Sequence, residues 1–400
     1  MTLTFISNYI NHHQMPFCDA CFAALGEDFH FVQTEPMEAE RRAMGWDGEN
    51  VPAYVVNAWE DEARARELVI SADVALIGWA QREDLVAERM NRNLPTVRVS
   101  ERLYREGQWK AVSPRGLVHK YREHIRYRQS PFYLLAIGAY TASDFRLIHA
   151  YPGKIYRWGY FPPFDAAKTL LTGFDTARRK DRDPVQLLWA GRFLPLKHPE
   201  AAMNAAETLH AAGIPFHLTM IGDGELRAAL EKRAAESGIS DAVTFTGFLS
   251  PEETRARMRE NHIFLFNSDH LEGWGAVVSE AMGAGCAVIA GTGAGAPPVL
   301  IRHGENGLLY RNGDTEELCR QVRTLAEEWA TRNKRLFYVT PQIERLGDAA
   351  FRTIADLWNA EHAASEFLRF CDCILAGKEF VPPEEGPMSV DPGWKPFVNV

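Results

Sequence analysis

Short apolar runs separated by segments of helical periodicity recur along most of this chain, and that alternation restricts the fold more than any other feature. In the first half the runs are LTFIS (3–7), FHFVQT (29–34), DVALIG (73–78), PTVRVS (95–100) and FYLLAIG (132–138), with helices expected at 16–25 and 61–71. Strands joined through helices cannot form hairpins; they cross over and pair in parallel, with helices on both faces. The stretch TGFDTARRKDRDP (172–184) breaks the pattern with charge, Gly and Pro and reads as an interdomain linker. A second series then begins: VQLLWAG (185–191), FHLTMIG (216–222), VTFTG (243–247), IFLFNS (263–268), CAVIAG (286–291) and GLLY (307–310). The expectation is an α/β protein with two doubly wound, Rossmann-like domains, 1–175 and 176–340. A helical segment at 341–376 and an extended tail at 377–400, containing VPPEEGP, complete the chain.

Composition narrows the function classes. With 400 residues, 46% hydrophobic and 24% charged, the chain reads as soluble and long enough for two cores. It has no apolar run of about 18 residues able to span a bilayer, and its first 16 residues lack the basic start of a signal peptide. The six cysteines show neither paired zinc-site spacing nor the density of a disulfide framework, so they are read as reduced thiols of a cytoplasmic protein. Net charge is -9, unevenly spread: residues 98–128 hold nine Lys and Arg against three Glu, a local +6 that leaves -15 elsewhere. That window fits a phosphorylated substrate, an anionic membrane surface or simply a solvated basic face. An acidic chain without a nucleic-acid-binding motif is not read as a nucleic-acid partner, despite the aromatics near that window.

In doubly wound domains ligands meet the loops that leave the carboxyl ends of the strands. Four such loops in the second half carry suggestive residues: AGRFLPLK with Arg192 and Lys197, IGDGEL with Gly222 and Asp223, FTGFLSPEE with Gly247 and Phe248, and SDHLEGWGAVVSE with Glu272 and Glu280. A pyrophosphate needs cations and backbone N–H groups, which Arg192, Lys197 and a helix opened by Gly273, Trp274 and Gly275 supply. A ribose diol wants a carboxylate that accepts two hydrogen bonds, a role for Glu280 in the first turns of that helix. The run GTGAGA (291–296) follows a strand but meets Pro297 and Pro298 at once, so it is read as a flexible loop near the donor and not as a dinucleotide fingerprint.

Taken in order, AGRFLPLK, IGDGEL, FTGFLSPEE, EGWGAVVSEAMGAGCAVIA and HGENGLLY make residues 185–310 resemble the donor domain of retaining glycosyltransferases of family 4. The pair Glu272 and Glu280 resembles that family's E-x7-E element. The resemblance implies a GT-B fold, two domains facing a central cleft with C-terminal helices crossing back to the first. It implies that Arg192 and Lys197 hold the donor diphosphate, that Glu280 binds the ribose and that Glu272 positions the transferred sugar. The backbone of Gly273, Trp274 and Gly275 would meet the distal phosphate, Gly222 and Asp223 would lie on the donor side, and Gly247 and Phe248 would line the base site. It further implies no metal and no cofactor, a nucleotide-sugar substrate, and a glycan or lipid-linked acceptor, with capsule, exopolysaccharide or lipopolysaccharide synthesis as the setting. Peripheral contact with the inner face of the cell membrane goes with that setting.

The acceptor side departs from the family pattern. The first loop reads Asn8-Tyr9-Ile10-Asn11-His12-His13-Gln14 instead of glycine-rich, and Ser100-Glu101-Arg102 stands where many members place a sugar-contacting His. His12, His13, Gln14, Ser100, Glu101 and Arg102 are therefore acceptor-side candidates, with helix capping the alternative for the two histidines. Two other functions fit the same scaffold: a nucleotide-sugar epimerase, or a donor-binding partner subunit without transfer activity.

Overall fold

The computed structural model describes residues 1–39, 51–80, 82–166, 184–332 and 340–394. The proposed linker at 172–184 lies, apart from Pro184, outside the described residues, as does the expected boundary at 175. Two compact units emerge: Met1–Pro163 together with Leu357–Val400, and Phe164–Asp356.

In the first unit all strand pairs are parallel, in the order β3-β2-β1-β4-β5-β6-β7. Here β1 is Leu3–Ser7, β2 Phe29–Gln33, β3 Val55–Asn57, β4 Val74–Ile77, β5 Thr96–Ser100, β6 Phe132–Ile137 and β7 Ile155–Trp158. Every β1 residue is buried, as expected for a strand covered on both faces. Two strands beyond the five expected, β3 and β7, extend the sheet at its edges.

The helix Ala360–Leu375 packs on the helix Met15–Leu25 of this unit. Phe367 meets Phe17 edge-on, ring centroids 5.9 Å apart. The expected extended tail is not free where it is described, through Trp394. The Arg157 N–H donates to the Ser389 carbonyl at 2.8 Å, the Met388 N–H to the Arg157 carbonyl at 3.0 Å, and Met388 is fully buried. The helix Gln342–Asp356, grouped with the following helix on sequence grounds, packs instead in the second unit, on the helix Ala276–Gly283. Gly347 makes that packing close, since a Cβ there would lie 2.4 Å from the Gly285 carbonyl oxygen.

The second unit orders its strands β10-β9-β8-β11-β12-β13, again parallel. They run β8 Val185–Ala190, β9 Phe216–Ile221, β10 Val243–Gly247, β11 Ile263–Phe266, β12 Ala287–Gly291 and β13 Leu308–Tyr310. Its core joins Leu187, Leu218, Ile263 and Ile289 from the central strands to helix residues such as Ala205, Leu209, Val322 and Trp329. Strand order reverses between β8 and β11, so the loops after those two strands flank a topological switch point, where doubly wound sheets bind ligands. Among the described residues no helix is long and apolar enough to cross a membrane.

Candidate active site

At the switch point of the second unit the backbone after β8 is knitted to the backbone after β9. The Gly191 N–H donates to the Ile221 carbonyl at 3.0 Å and the Phe193 N–H to the Asp223 carbonyl at 2.8 Å. Gly222, at φ 123°, is required: a Cβ there would sit 1.9 Å from the Gly191 carbonyl oxygen. Phe193 is buried and stacks on Trp189 with centroids 5.2 Å apart, which pins the loop from below. Arg192, between Gly191 and that anchor, is left exposed, with no carboxylate of the described residues paired to it. An exposed guanidinium on a rigid loop is ready for an anion.

The turn carrying Lys197 is tied to the loop after β11. The Asp269 N–H donates to the Leu196 carbonyl at 2.9 Å, and the Asp269 carboxylate lies 3.3 Å from His198 Nε2. Lys197 Nζ donates to Glu272 Oε2, so the two candidates that the sequence places 75 residues apart are partners. His198 takes a left-handed conformation at the start of the helix Pro199–Ala211. Its imidazole is held above the usual value, by Glu200 first and Asp269 second, against partial burial. Asp269 lies inside the quoted SDHLEGWGAVVSE and His198 directly follows AGRFLPLK, but they stand out by neither spacing nor type, and sequence reasoning passes over them.

Gly273, Trp274 and Gly275 lead into the helix Ala276–Gly283. Gly275 has φ 89°, and a Cβ on it would lie 2.6 Å from the Phe266 ring. Trp274 is buried, so only its backbone is available to a ligand. The GTGAGA stretch, expected as a flexible loop, is a packed support instead. Ala294 and Ala296 are fully buried, the Gly295 N–H donates to the Gly273 carbonyl at 3.0 Å and the Ala296 N–H to the Trp274 carbonyl at 2.9 Å. Those bonds occupy the carbonyls of the Gly-Trp pair.

Glu280 is largely buried on that helix. Arg255, from the helix Pro251–Glu260, donates to Glu280 Oε1 at 3.1 Å, while Oε2 has no partner among the described residues. Burial raises the carboxyl above its ordinary value and the Arg255 charge pulls it back down. Arg255 is a second residue missed by sequence reasoning. On the neighbouring strands, the Asp223 carboxylate accepts from the Gly224 N–H at 2.7 Å and from Arg227 at 2.9 Å, which hold it below the ordinary carboxylate range. Gly247 is at φ 74° and bonds Gly222 across the edge of the sheet, and Phe248 is 58% exposed.

In the first unit the loop after β1 places His12 and His13 at the corresponding switch point, between β1 and β4. Their rings lie 3.8 Å apart, and His13 stacks on Tyr160 at 5.9 Å. The Tyr160 hydroxyl donates to Glu101 at 3.0 Å, which brings His13 and Glu101 to one place through a tyrosine the sequence did not single out. Gln14 stands at the start of the helix Met15–Leu25 without a side-chain capping bond, and its side chain accepts from Asn11 at 3.2 Å. The Ser100 hydroxyl donates to the Glu101 carbonyl at 2.9 Å. Arg102 turns inward: it lies 3.4 Å from Asp144, with side chains 5% and 0% exposed, and donates to the Tyr104 carbonyl at 3.1 Å. That guanidinium is engaged in packing the loop after β5.

Residues 174–336 match the family model of glycosyl transferases group 1. The match spans β8 to β13 and every donor-side residue named above. Among curated relatives, the 2-deoxystreptamine glucosyltransferase of Streptomyces kanamyceticus is 33% identical over 191 residues, 48% of this chain and 46% of that protein. The amylovoran biosynthesis glycosyltransferase AmsK of Erwinia amylovora is 31% identical over 149 residues, 36% of each chain. The lipopolysaccharide core biosynthesis glycosyltransferase LpsE of Rhizobium meliloti is 31% identical over 144 residues, 36% of this chain and 40% of that one. The chain thus spans less than half the length of these relatives.

Likeness of fold reaches further. A glycosyltransferase from Rickettsia africae superposes with a TM-score of 0.65 at 12% identity, covering 94% of this chain and 98% of that one. Anabaena HepE, solved in complex with UDP, gives 0.63 at 16% identity, covering 92% and 99%. The fold is therefore that of the GT-B glycosyltransferases, two Rossmann-like domains each with a parallel sheet.

Proposed function

We propose that this protein is a metal-independent, retaining glycosyltransferase of family 4 that moves a sugar from a nucleotide donor to a glycan or lipid-linked acceptor. The observation that carries the reading is the set at the carboxyl edge of the second sheet: exposed Arg192, the Lys197–Glu272 pair, the Gly275 helix start and Glu280 held by Arg255. Arg192 and Lys197 receive the diphosphate, whose arrival gives Lys197 a stronger partner and frees Glu272 for the sugar hydroxyls. The open Oε2 of Glu280 takes the ribose, with Gly222 and Asp223 beside it and Gly247 and Phe248 along the base.

Fixed cations and backbone N–H groups stabilise the leaving diphosphate, so no metal and no cofactor is assigned. The C1–O bond to phosphate breaks as the acceptor oxygen bonds C1 on the same face, and the acceptor proton passes to the leaving phosphate oxygen. No protein nucleophile is invoked. Glu272 is assigned a contact with the sugar, not a covalent role. The acceptor is assigned to the first unit, around His12, His13, Gln14, Ser100 and Glu101. Surface polysaccharide synthesis in bacteria is the proposed setting, supported by what AmsK and LpsE are named for. A cytoplasmic location accords with six free cysteines, Cys18, Cys21, Cys286 and Cys371 buried among them.

The test is a thermal-shift panel of UDP-, GDP-, ADP- and CMP-sugars, followed by transfer assays with the sugar that stabilises most. Glu280→Ala should lose the shift, and Glu272→Ala should keep it while turnover falls. Full donor affinity and full activity in both variants would overturn the site. Isomerised sugar without acceptor would make the protein an epimerase, and tight binding with no transfer a donor-binding subunit.

A further inference from the structure

His198 stands where the backbone favours glycine. Its φ of 47° is left-handed, a conformation that glycine takes freely and most other residues take only at a cost. In exchange the position carries a ring between two carboxylates. Nδ1 lies 2.8 Å from Glu200 Oε1, and Nε2 lies 3.3 Å from Asp269 Oδ2. An ionised carboxylate can only accept, whereas a neutral imidazole has a single N–H to give. Both contacts are hydrogen bonds at once only when each ring nitrogen carries a proton. The charged groups around the ring agree with that form: the hydrogen bond to Glu200 raises its value most, burial opposes it, and Asp269 raises it further. Beyond them, Lys197 precedes His198 in the chain and is paired to Glu272, and Arg233 of the helix Arg227–Glu236 attracts Glu200.

Asp269 is the joint between the turn that carries Lys197 and the loop that carries Glu272. Its N–H donates to the Leu196 carbonyl at 2.9 Å, its carbonyl accepts from the Glu272 N–H at 3.1 Å, and Oδ1 accepts from the Leu271 N–H at 2.8 Å. Oδ2 is left to His198. The remaining tie between turn and loop is the Lys197–Glu272 pair, and the arriving diphosphate opens it by drawing Lys197 away. Among the described residues, the hydrogen bonds that then keep the loop on the turn are those from Asp269 to Leu196 and to His198. We propose that His198 is a positioning residue for sugar transfer: by bridging Glu200 and Asp269 it keeps Glu272 beside the sugar once the diphosphate has taken Lys197. The inference rests on the donor reading above and adds to it a residue that touches neither the diphosphate nor the sugar. The bridge is complete while the ring is charged, so it is lost as pH rises through the raised His198 value.

UDP-glucose, GDP-mannose, ADP-glucose and CMP-sialic acid are screened for donor-induced stabilisation of the full chain. Release of nucleotide from the one that binds is then followed from about pH 6 to about pH 9. In the parent kcat should fall toward the alkaline end. His198→Gly keeps the turn, because glycine accepts this φ without strain. It should be stabilised by donor as the parent is, lose about ten- to a hundredfold in kcat and lose the alkaline limb. His198→Lys restores a cation that stays charged through the range, and should recover most of the rate without that limb. Asp269→Asn should match His198→Gly, and the two substitutions together should cost no more than either alone. If His198→Gly fails to fold, Asp269→Asn and His198→Lys carry the test. Parental kcat and pH profile in His198→Gly, a loss confined to donor affinity, or a loss that His198→Lys does not repair would overturn the proposal and leave the donor reading standing. A parent neither stabilised by any of the four nucleotide sugars nor able to turn one over would overturn the donor reading and this inference with it.

Discussion

Removing the Arg255 guanidinium distinguishes an incidental ion pair from one that tunes a ligand. In Arg255→Met much of the apolar stem remains, while Glu280 loses its donor at 3.1 Å. The two side chains are 20% and 10% exposed, so water replaces part of the lost contact. The effect should then fall below the roughly 3–5 kcal/mol of a fully buried pair. One charge-assisted hydrogen bond in this setting is worth about 2 kcal/mol, or about thirtyfold in an equilibrium. Burial already raises the Glu280 carboxyl and Arg255 opposes it, so without Arg255 the value climbs further.

The direction of the pH dependence follows. A carboxyl whose value is higher folded than unfolded binds protons that the unfolded chain releases, so it destabilises the fold above its raised value and the penalty fades as pH falls through it. The variant should be about 2 kcal/mol less stable than the parent near pH 8, with the gap closing toward about pH 5. Nucleotide affinity runs the other way, because the ribose needs the ionised carboxylate. It should weaken as pH is lowered in both proteins, with the midpoint at higher pH in the variant. Chemical denaturation and calorimetric titration with the best-binding nucleoside diphosphate, each across that range, read the two trends. A stability gap that ignores pH, together with superimposable affinity profiles, would refute the reasoning.

Two further substitutions test the framework around the site. Gly275→Ala puts a Cβ 2.6 Å from the Phe266 ring at a backbone φ of 89°. It should lower stability by about 1–3 kcal/mol and weaken diphosphate binding, as denaturation and titration would record; an unperturbed variant would mean that the helix start is not held as described. Met388→Ala removes a fully buried side chain from the C-terminal segment. A loss of about 2–5 kcal/mol is expected; unchanged stability would show that this segment does not pack on the first unit in solution.

The central strands are legible because each is an apolar run long enough to be buried on both faces, and their order along the chain dictates crossovers. The elements that escape are those whose form depends on a distant partner. The three residues of β3 include two strand-favouring valines but make too short a run to announce a strand, and they form one because Val55 pairs with Phe31 and Asn57 with Gln33. The segment 381–391 reads as an extended tail from its VPPEEGP, yet its residues 388 and 389 settle on the exposed edge of β7, whose Arg157 backbone bonds Ser389 and Met388. No local pattern announces an edge.

The same distinction divides the site. Loops that leave the carboxyl ends of parallel strands must converge near a switch point, so Arg192, Lys197, Glu272 and Glu280 are legible as candidates from position alone. Their pairing is not. The helix Pro251–Glu260 offers Arg255, Arg257 and Arg259 in alternation, and as sequence the three are equivalent. Arg257 meets Glu260 on the surface, 54% exposed, while Arg255 turns toward Glu280 at 20%. Two residues along a helix rotate a side chain by about 200°, so the seating of this helix against Ala276–Gly283 selects which arginine holds the carboxylate. That seating is a tertiary choice, which is why the residue that sets the charge of the proposed ribose ligand lay hidden in a run of ordinary surface charge.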